Sequence, residues 1–116
     1  MQEKIFNIKS AAEFEDVALN IFDYQMQSNP IYTKYASLVL NGKEPCNIFE
    51  IPFLPISFFK TKQIICKKLP VEKVFLSSGT TGEQSKHLVA DLSTYKKSFL
   101  KSFQLFYGNI QDYCFL

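Results

Sequence analysis

The sequence contains no arginine, and all thirteen of its basic residues are lysines. The planar guanidinium group of arginine is the usual instrument for reading base edges, because it donates two parallel hydrogen bonds. Its absence weakens the case for sequence-specific recognition of DNA or RNA. We therefore expect no nucleic-acid partner.

Histidine and cysteine are scarce as well. The only histidine is His87, and the three cysteines, Cys46, Cys66 and Cys114, are odd in number and have no CxxC spacing. This pattern speaks against a disulfide framework and against a zinc site, so we expect buried, reduced thiols. A catalytic thiol would need a nearby base, which His87 can supply only through a tertiary contact.

Long apolar stretches are also absent from the sequence. No apolar run approaches the roughly 20 residues that a membrane-spanning helix needs. The N-terminus, MQEKIFNIKS, lacks the basic-then-apolar pattern of a signal peptide. We expect a cytoplasmic protein without a membrane span.

Phenylalanine, in contrast, is abundant, with twelve copies in a chain of 116 residues. A chain of this size forms one domain with a modest core, and 47% hydrophobic and 21% charged residues indicate a globular domain. Aromatic residues make up 16% of the chain, which is more ring surface than such a core buries comfortably. We expect part of it to be exposed for a protein partner or for self-association.

Charge is distributed unevenly along the chain. Residues 1–58 carry four lysines and seven acidic residues, a net charge of −3, whereas residues 59–116 carry nine lysines and four acidic residues, a net charge of +5. An anionic ligand would therefore bind to the second half.

Residues 1–42 are predicted to form a helical lead-in. Ser10 and Glu13 have the spacing of a capping box, in which each side chain satisfies a free backbone N–H at the start of a helix. Asn29-Pro30 ends that helix and starts a second one with proline at its first position, and Asn41-Gly42 ends the second helix.

Residues 43–70 form a segment interrupted by prolines. Pro52 and Pro55 exclude a long helix or a central strand, so we predict an extended stretch and then a short helix that starts near Pro55 or Ile56. Five lysines follow closely, and they form either a solvated face or an electropositive rim around an anion site. These lysines are Lys60, Lys62, Lys67, Lys68 and Lys73.

Residues 71–116 predict a strand, a glycine-containing loop, a second strand, a helix and a third strand. The strands are VEKVFL, HLVA and a buried one that begins with DYCFL, and the helix runs from an N-cap at Asp91 to Gly108. The fold class is α/β, with N-terminal helices before this strand–loop–strand–helix–strand unit. A final strand needs neighbours to cover it, so we expect the N-terminal piece of a longer chain, with one incomplete domain.

The loop SSGTTG, residues 77–82, combines glycines and hydroxyl groups. Glycine lets the backbone turn several N–H groups toward one anion, and hydroxyls add further donors. The spacing is neither the Walker pattern GxxxxGK[ST] nor the dinucleotide fingerprint GxGxxG. From the residues alone, a phosphate cradle and a simple turn between two strands both remain open.

The stretch FLSSGTTG, residues 75–82, resembles the phosphate-binding loop of the acyl-adenylate-forming (AMP-binding) superfamily. Together with IPFLPISFFK upstream and EQSKH downstream, it is similar to the acyl-protein synthetase family, the long-chain-fatty-acid-activating component of bacterial bioluminescence complexes and their non-luminous relatives. The resemblance covers about residues 29–116. The chain lacks the proline of the common G-x-P-K continuation and reaches its lysine, Lys86, one residue later.

The resemblance implies an ATP-dependent acid–thiol ligase. Such an enzyme joins a fatty acid to ATP as an acyl-adenylate and passes the acyl group to a thiol, either a protein cysteine or coenzyme A. The loop would bind the β- and γ-phosphates, usually with Mg²⁺, and Lys86 would add positive charge. The implied phosphate-binding residues are Ser77, Ser78, Gly79, Thr80, Thr81, Gly82 and Lys86.

His87 is either a strand-edge residue hydrogen-bonded to backbone or a donor near the phosphate or the acyl carboxylate. The family's adenine, ribose and thiol-transfer motifs do not occur in these 116 residues, so we expect the chain to be inactive by itself.

Two other classes of function remain alternatives. Residues 79–82 match the GxxG clamp of KH-type RNA-binding domains, although that clamp lies between two helices and usually carries a basic residue at its centre. The second alternative is a non-catalytic scaffold that binds a protein through exposed aromatic residues, with the loop acting only as a turn.

Overall fold

A computed structural model describes residues 2–67, 69–78 and 84–114. Within these ranges the chain contains five α-helices, two short 3-10 helices and one two-stranded antiparallel sheet, so the predicted mixture of helix and strand is confirmed. The elements are α1 (Gln2–Ile5), α2 (Ala11–Ser28), α3 (Pro30–Leu40), a 3-10 helix (Ile48–Glu50), α4 (Phe58–Thr61), β1 (Lys73–Leu76), β2 (Lys86–Val89), α5 (Leu92–Tyr107) and a 3-10 helix (Ile110–Asp112).

The predicted cap at the start of α2 is present. Ser10 Oγ accepts the N–H of Glu13 at 3.2 Å, and the Glu13 carboxylate accepts the N–H of Lys9 at 2.8 Å. The reciprocal bond therefore falls one residue earlier than in the standard capping box. The short helix α1 was not predicted, since it has neither a cap signal nor the length for a helical pattern.

Asn29 joins α2 to α3 as predicted. Its side-chain oxygen accepts the N–H of Tyr32 at 3.2 Å, its amide nitrogen donates to Gln25 Oε1 at 2.9 Å, and the residue is buried. Pro30 takes the first position of α3, and Asn41 ends that helix in the left-handed conformation with φ of 48°. Asn29 also donates its backbone N–H to the Gln25 carbonyl oxygen at 2.9 Å, so one buried residue satisfies a backbone group at the end of α2 and another at the start of α3.

The hydrophobic core lies where α2, α3 and the proline-containing segment meet. Phe22, Tyr32 and Ala36 form its centre, and the rings of Phe22 and Tyr32 meet edge-on with their centroids 6.2 Å apart. The Tyr32 hydroxyl donates to the Pro52 carbonyl oxygen at 2.8 Å. Burial, and secondarily the nearby Tyr35, raises the pKa of Tyr32. The short helix α4 follows the proline-containing segment and begins at Phe58, two to three residues after the predicted start near Pro55 or Ile56.

The second half is an antiparallel hairpin followed by α5. Lys73 pairs with Val89, and Leu76 pairs with Lys86. The strand β1 is therefore shorter than the predicted VEKVFL, and β2 is shifted by one residue from the predicted HLVA. The predicted caps of α5 are confirmed: Asp91 accepts the N–H groups of Ser93 and Thr94 at 2.9 and 3.1 Å, and Gly108 follows the last turn with φ of 87°. No residue of α5 is buried.

The predicted strand at Tyr113 is wrong for the part that the structure describes. Tyr113 and Cys114 follow the 3-10 helix Ile110–Asp112 without forming a strand. The Tyr113 hydroxyl donates to the Tyr107 carbonyl oxygen at 2.6 Å, and its ring lies edge-on to Phe103 at 5.2 Å. The tyrosine therefore folds back onto α5. Residues 115–116 of that predicted strand lie outside the described residues.

None of the helices in the described ranges is long and apolar enough to cross a membrane. The three cysteines form no disulfide in the described residues, but their predicted burial is wrong: Cys46 and Cys114 are exposed and Cys66 is half-buried. The expected exposure of aromatic residues is also observed, since Phe49, Phe53, Phe106 and Tyr107 are exposed by 94%, 71%, 76% and 63%.

Candidate functional site

The candidate site lies at the end of the β1–β2 hairpin where the two strands are joined by residues 77–85. Beyond the last strand pair, Ser77 donates its backbone N–H to the Ser85 carbonyl oxygen at 3.1 Å. Ser85 in turn donates its N–H to Ser77 Oγ at 2.9 Å. These two bonds close the base of the loop, so its ends are held together by one side chain as well as by backbone.

The predicted phosphate-binding residues fall into two groups. Gly79, Thr80, Thr81 and Gly82 lie outside the described residues. The other three, Ser77, Ser78 and Lys86, are exposed and stand together at the loop end of the hairpin, because Leu76 pairs with Lys86. The Ser77 hydroxyl oxygen accepts a hydrogen bond within the loop base, and its O–H remains a donor.

Ser85 is a residue of this site that the sequence interpretation missed. It is buried, with 7% of its surface exposed, and its backbone forms both bonds to Ser77. Sequence alone gave no signal for this, because a serine in a polar loop is normally exposed. Only the pairing of β1 with β2 places Ser85 opposite Ser77.

A lysine-lined pocket adjoins the loop end on one face of β2. Its volume is about 210 Å³, and it lies between α4 with the residues that follow it and the side chains of Lys86 and Leu88. We call it the lysine pocket. Its lining consists of Phe59, Lys60, Thr61, Lys62, Gln63, Lys86 and Leu88. These described residues include three cations and no carboxylate.

The remaining lysines of the predicted electropositive rim lie elsewhere. Lys67 is tied to the end of α2, where its N–H donates to the Ser28 carbonyl oxygen at 2.7 Å. Lys73 pairs with Val89 at the end of the hairpin opposite to the loop. Lys68 lies outside the described residues. Of the five lysines, the structure thus brings Lys60 and Lys62 together with Lys86.

His87 lies between Lys86 and Leu88 on β2 and contacts Phe59, a lining residue of the lysine pocket. Its ring stacks on Phe59 with centroids 4.7 Å apart and planes 20° apart. Within the described part of the chain the imidazole forms no hydrogen bond, so the expected backbone contact is replaced by an aromatic one. The cross-strand neighbour Phe75 lies 4.8 Å from Tyr95, so His87 and Phe75 connect α4 and α5 to the hairpin.

A Mg²⁺ ion does not fit the described residues of this site. Its ligands are oxygen atoms, preferably of carboxylates, whereas the lysine pocket presents ammonium groups. The residues described by the structure also contain no group of three His, Cys, Asp or Glu side chains placed to hold a metal. The arrangement suits an anion.

A second, apolar groove lies in the first half of the chain. It measures about 340 Å³ and runs between α2 and residues 48–54, with Gln25 and Tyr32 as the polar members of its lining. The Tyr32 hydroxyl is already bonded to Pro52. This groove offers no cation for a phosphate and is not part of the candidate site.

Comparison of the chain with protein-family models, with curated proteins and with solved structures finds no match. The functional assignment therefore depends on the loop residues and on the geometry around them.

Proposed function

We propose that this chain supplies the ATP phosphate-binding loop of an acyl-adenylating ligase of the acyl-protein synthetase type. The substrates are ATP and a long-chain fatty acid, and the acyl acceptor is a thiol of a protein cysteine or of coenzyme A. The proposal treats the chain as the N-terminal part of that enzyme and as inactive by itself. It draws on the residues of the loop and on their setting in the hairpin.

The observation that carries the proposal is the length and closure of the loop. Hairpin loops usually contain two to five residues, whereas residues 77–85 between β1 and β2 number nine. A turn that only reverses the chain needs neither this length nor a buried serine at its base. The base bonds between Ser77 and Ser85 instead fix both ends of a loop rich in glycine and hydroxyl groups, which favours a ligand-binding loop.

The chemistry of the proposed reaction explains why such a loop is useful. A carboxylate oxygen of the acid forms a bond to the α-phosphorus of ATP. The bond from that phosphorus to the oxygen bridging the β-phosphate breaks, and its electron pair leaves with pyrophosphate. Donors held around the β- and γ-phosphates neutralise the charge that moves onto this leaving group. Among the described residues, the proposal gives this role to Ser77, Ser78 and Lys86, which are exposed at the loop end of the hairpin.

In the second step the thiol attacks the acyl carbonyl, a thioester forms, and AMP leaves with the oxygen of the former acyl–phosphate bond. The proposal assigns none of the cysteines of this chain to that step. Cys46 and Cys114 are exposed and Cys66 is half-buried, and none of the three lines the lysine pocket.

The test is carboxylate-dependent ATP–pyrophosphate exchange with a panel of fatty and aromatic acids. It is run on this chain and on the product of the complete reading frame. We expect exchange from the complete product only, and only with a fatty acid. It should be lost in Gly79→Val and fall about tenfold in Lys86→Gln, because a charge-assisted hydrogen bond to phosphate is removed. Lys96→Gln, an exposed lysine of α5, is the matched control and should leave exchange unchanged.

Absence of exchange with every acid, together with absence of pyrophosphate binding, would contradict the ligase proposal. The loop would then be a turn.

The exposed face of α5 favours a second candidate function, the binding of another protein. Phe99, Leu105 and Phe106 are exposed by 48%, 79% and 76% on a helix with no buried residue. Such surface is typical of a contact area. This candidate predicts concentration-dependent association, weakened by Phe106→Glu, with no affinity for phosphate.

The RNA-binding alternative fits less well, because strands and not helices flank the loop.

A further inference from the structure

We infer that α4 completes the phosphate site, and that Lys60 and Lys62 together with Lys86 bind the polyphosphate chain of the nucleotide. The inference rests on the proposed function for the identity of the anion. It adds a site for which the glycine loop gives no indication, because Lys60 and Lys62 precede the loop by at least fifteen residues.

The end of α4 explains how two lysines so close in sequence reach the same pocket. Residues two apart on a helix project in different directions. Here α4 ends at Thr61, and Lys62 has an extended backbone with φ of −124° and ψ of 150°. Its N–H is still held by the Phe58 carbonyl oxygen at 2.8 Å. The change of backbone after Thr61 lets Lys60 and Lys62 converge on the lysine pocket.

The position of α4 against the hairpin is fixed by aromatic contacts. Phe59 stacks on His87 at 4.7 Å, and the neighbouring Phe58 meets Tyr35 of α3 edge-on at 5.5 Å. The helix is thus held from the hairpin on one side and from the helical core on the other. Lys60 of α4 and Lys62, the residue that follows the helix, therefore share a pocket with Lys86 on a packed support and not on a free loop.

The charge of the lysine pocket is uncompensated within the described residues. Among the described residues, the ion pair that forms is Lys97–Glu3, which joins α5 to α1 and involves no pocket lysine. No carboxylate of the described residues lines the pocket. Three lysines line this space of about 210 Å³, and an anion with several charges is the ligand that complements such a lining. Thr61 and Gln63 add neutral donors to the same lining.

The location of Lys86 selects a polyphosphate over a single phosphate group. Lys86 lines the lysine pocket and also pairs with Leu76, the residue before the loop base at Ser77. The pocket and the loop end are therefore adjacent. An extended chain of two or three phosphates is the anion that spans both.

The experiment is calorimetric titration of the 116-residue chain with inorganic tripolyphosphate at low and moderate salt. We compare the double variant Lys60→Gln/Lys62→Gln with Lys67→Gln/Lys73→Gln, which removes the same charge from the same stretch of sequence but outside the pocket. We expect at least a tenfold loss of affinity in the first double variant and less than a threefold loss in the second.

Equal losses in the two double variants would overturn the inference, because they would show a general effect of net charge. Absence of tripolyphosphate binding by the parent chain would overturn it as well.

A second measurement needs no variant: tripolyphosphate should protect Lys60, Lys62 and Lys86 from acetylation, but not Lys67. Equal protection of all four lysines contradicts the proposed pocket.

The outcomes also separate this inference from the proposed function. If Gly79→Val abolishes binding while Lys60→Gln/Lys62→Gln binds like the parent, the loop binds phosphate and the lysine pocket does not. If binding depends on Lys60 and Lys62 but no acid supports ATP–pyrophosphate exchange, the lysine pocket stands as an anion site and the ligase proposal fails.

Discussion

Tyr32 is the residue that connects the helical core to the proline-containing segment. Its hydroxyl donates to the carbonyl oxygen of buried Pro52 at 2.8 Å. Tyr32→Phe leaves this acceptor without its partner, so we expect the free energy of unfolding to fall by about 1–3 kcal/mol. Urea denaturation measures the change. Tyr24→Phe, at a tyrosine that is 40% exposed, is the control and should stay within about 0.5 kcal/mol of the parent.

The same residue predicts a dependence of stability on pH. Burial raises the pKa of Tyr32 in the folded state, so the unfolded chain loses this proton first as the pH rises. The stabilising contribution is complete below the ordinary tyrosine pKa of about 10 and is lost as the pH rises from there through the raised value. The difference in stability between the parent and Tyr32→Phe should therefore shrink above pH of about 10. A constant difference across that range contradicts a raised pKa.

At the scale of elements, two serines next to each other at the hairpin base have different expected effects when they are replaced. Ser77→Ala removes the oxygen that accepts the N–H of buried Ser85. We expect a loss of stability of about 1 kcal/mol, together with weaker pyrophosphate binding. Ser78→Ala, at an exposed position next to it, should weaken pyrophosphate binding without changing the unfolding midpoint. If both variants leave the midpoint and the affinity unchanged, the hairpin base has no role in the site.

The contact between α4 and β2 gives a second prediction at the scale of elements. Phe59→Ala removes the stack on His87, and an aromatic pair of this kind is worth about 0.5–1.5 kcal/mol beyond the buried area. Because α4 then loses its support, we expect a several-fold loss of tripolyphosphate affinity although all three pocket lysines remain. Phe49→Ala, at a ring that is 94% exposed, is the matched control. Unchanged affinity in Phe59→Ala would mean that α4 does not position the lysines.

Elements defined by local signals could be predicted from the sequence. Ser10, Asn29 and Asp91 each cap a helix through contacts within four residues along the chain, so their patterns were sufficient. The strand predicted at Tyr113 failed because the ring of that residue instead meets Phe103, a tertiary contact that no local pattern contains. The burial of Ser85 and the stack of His87 on Phe59 were missed for the same reason.

At the scale of the whole molecule, the two halves of the chain differ in charge and in the features that they contain. The buried core of Phe22, Tyr32 and Ala36 belongs to the acidic first half, whereas the loop end and the lysine pocket belong to the basic second half. The charge asymmetry predicts that an anion would bind to the second half, but it does not indicate which lysines would bind it. That selection required the packing of α4 against β2. The aromatic surface of α5 remains exposed and available for contact.

The most direct test of the account is phosphorus-31 NMR of ATP titrated with this chain and with its Gly79→Val variant. The account predicts that the β- and γ-phosphorus signals shift and broaden more than the α signal with the parent chain, and that Gly79→Val abolishes the effect. Signals that stay unchanged at saturating chain, or that respond equally to parent and variant, would contradict the claim that residues 77–82 bind the phosphates of ATP.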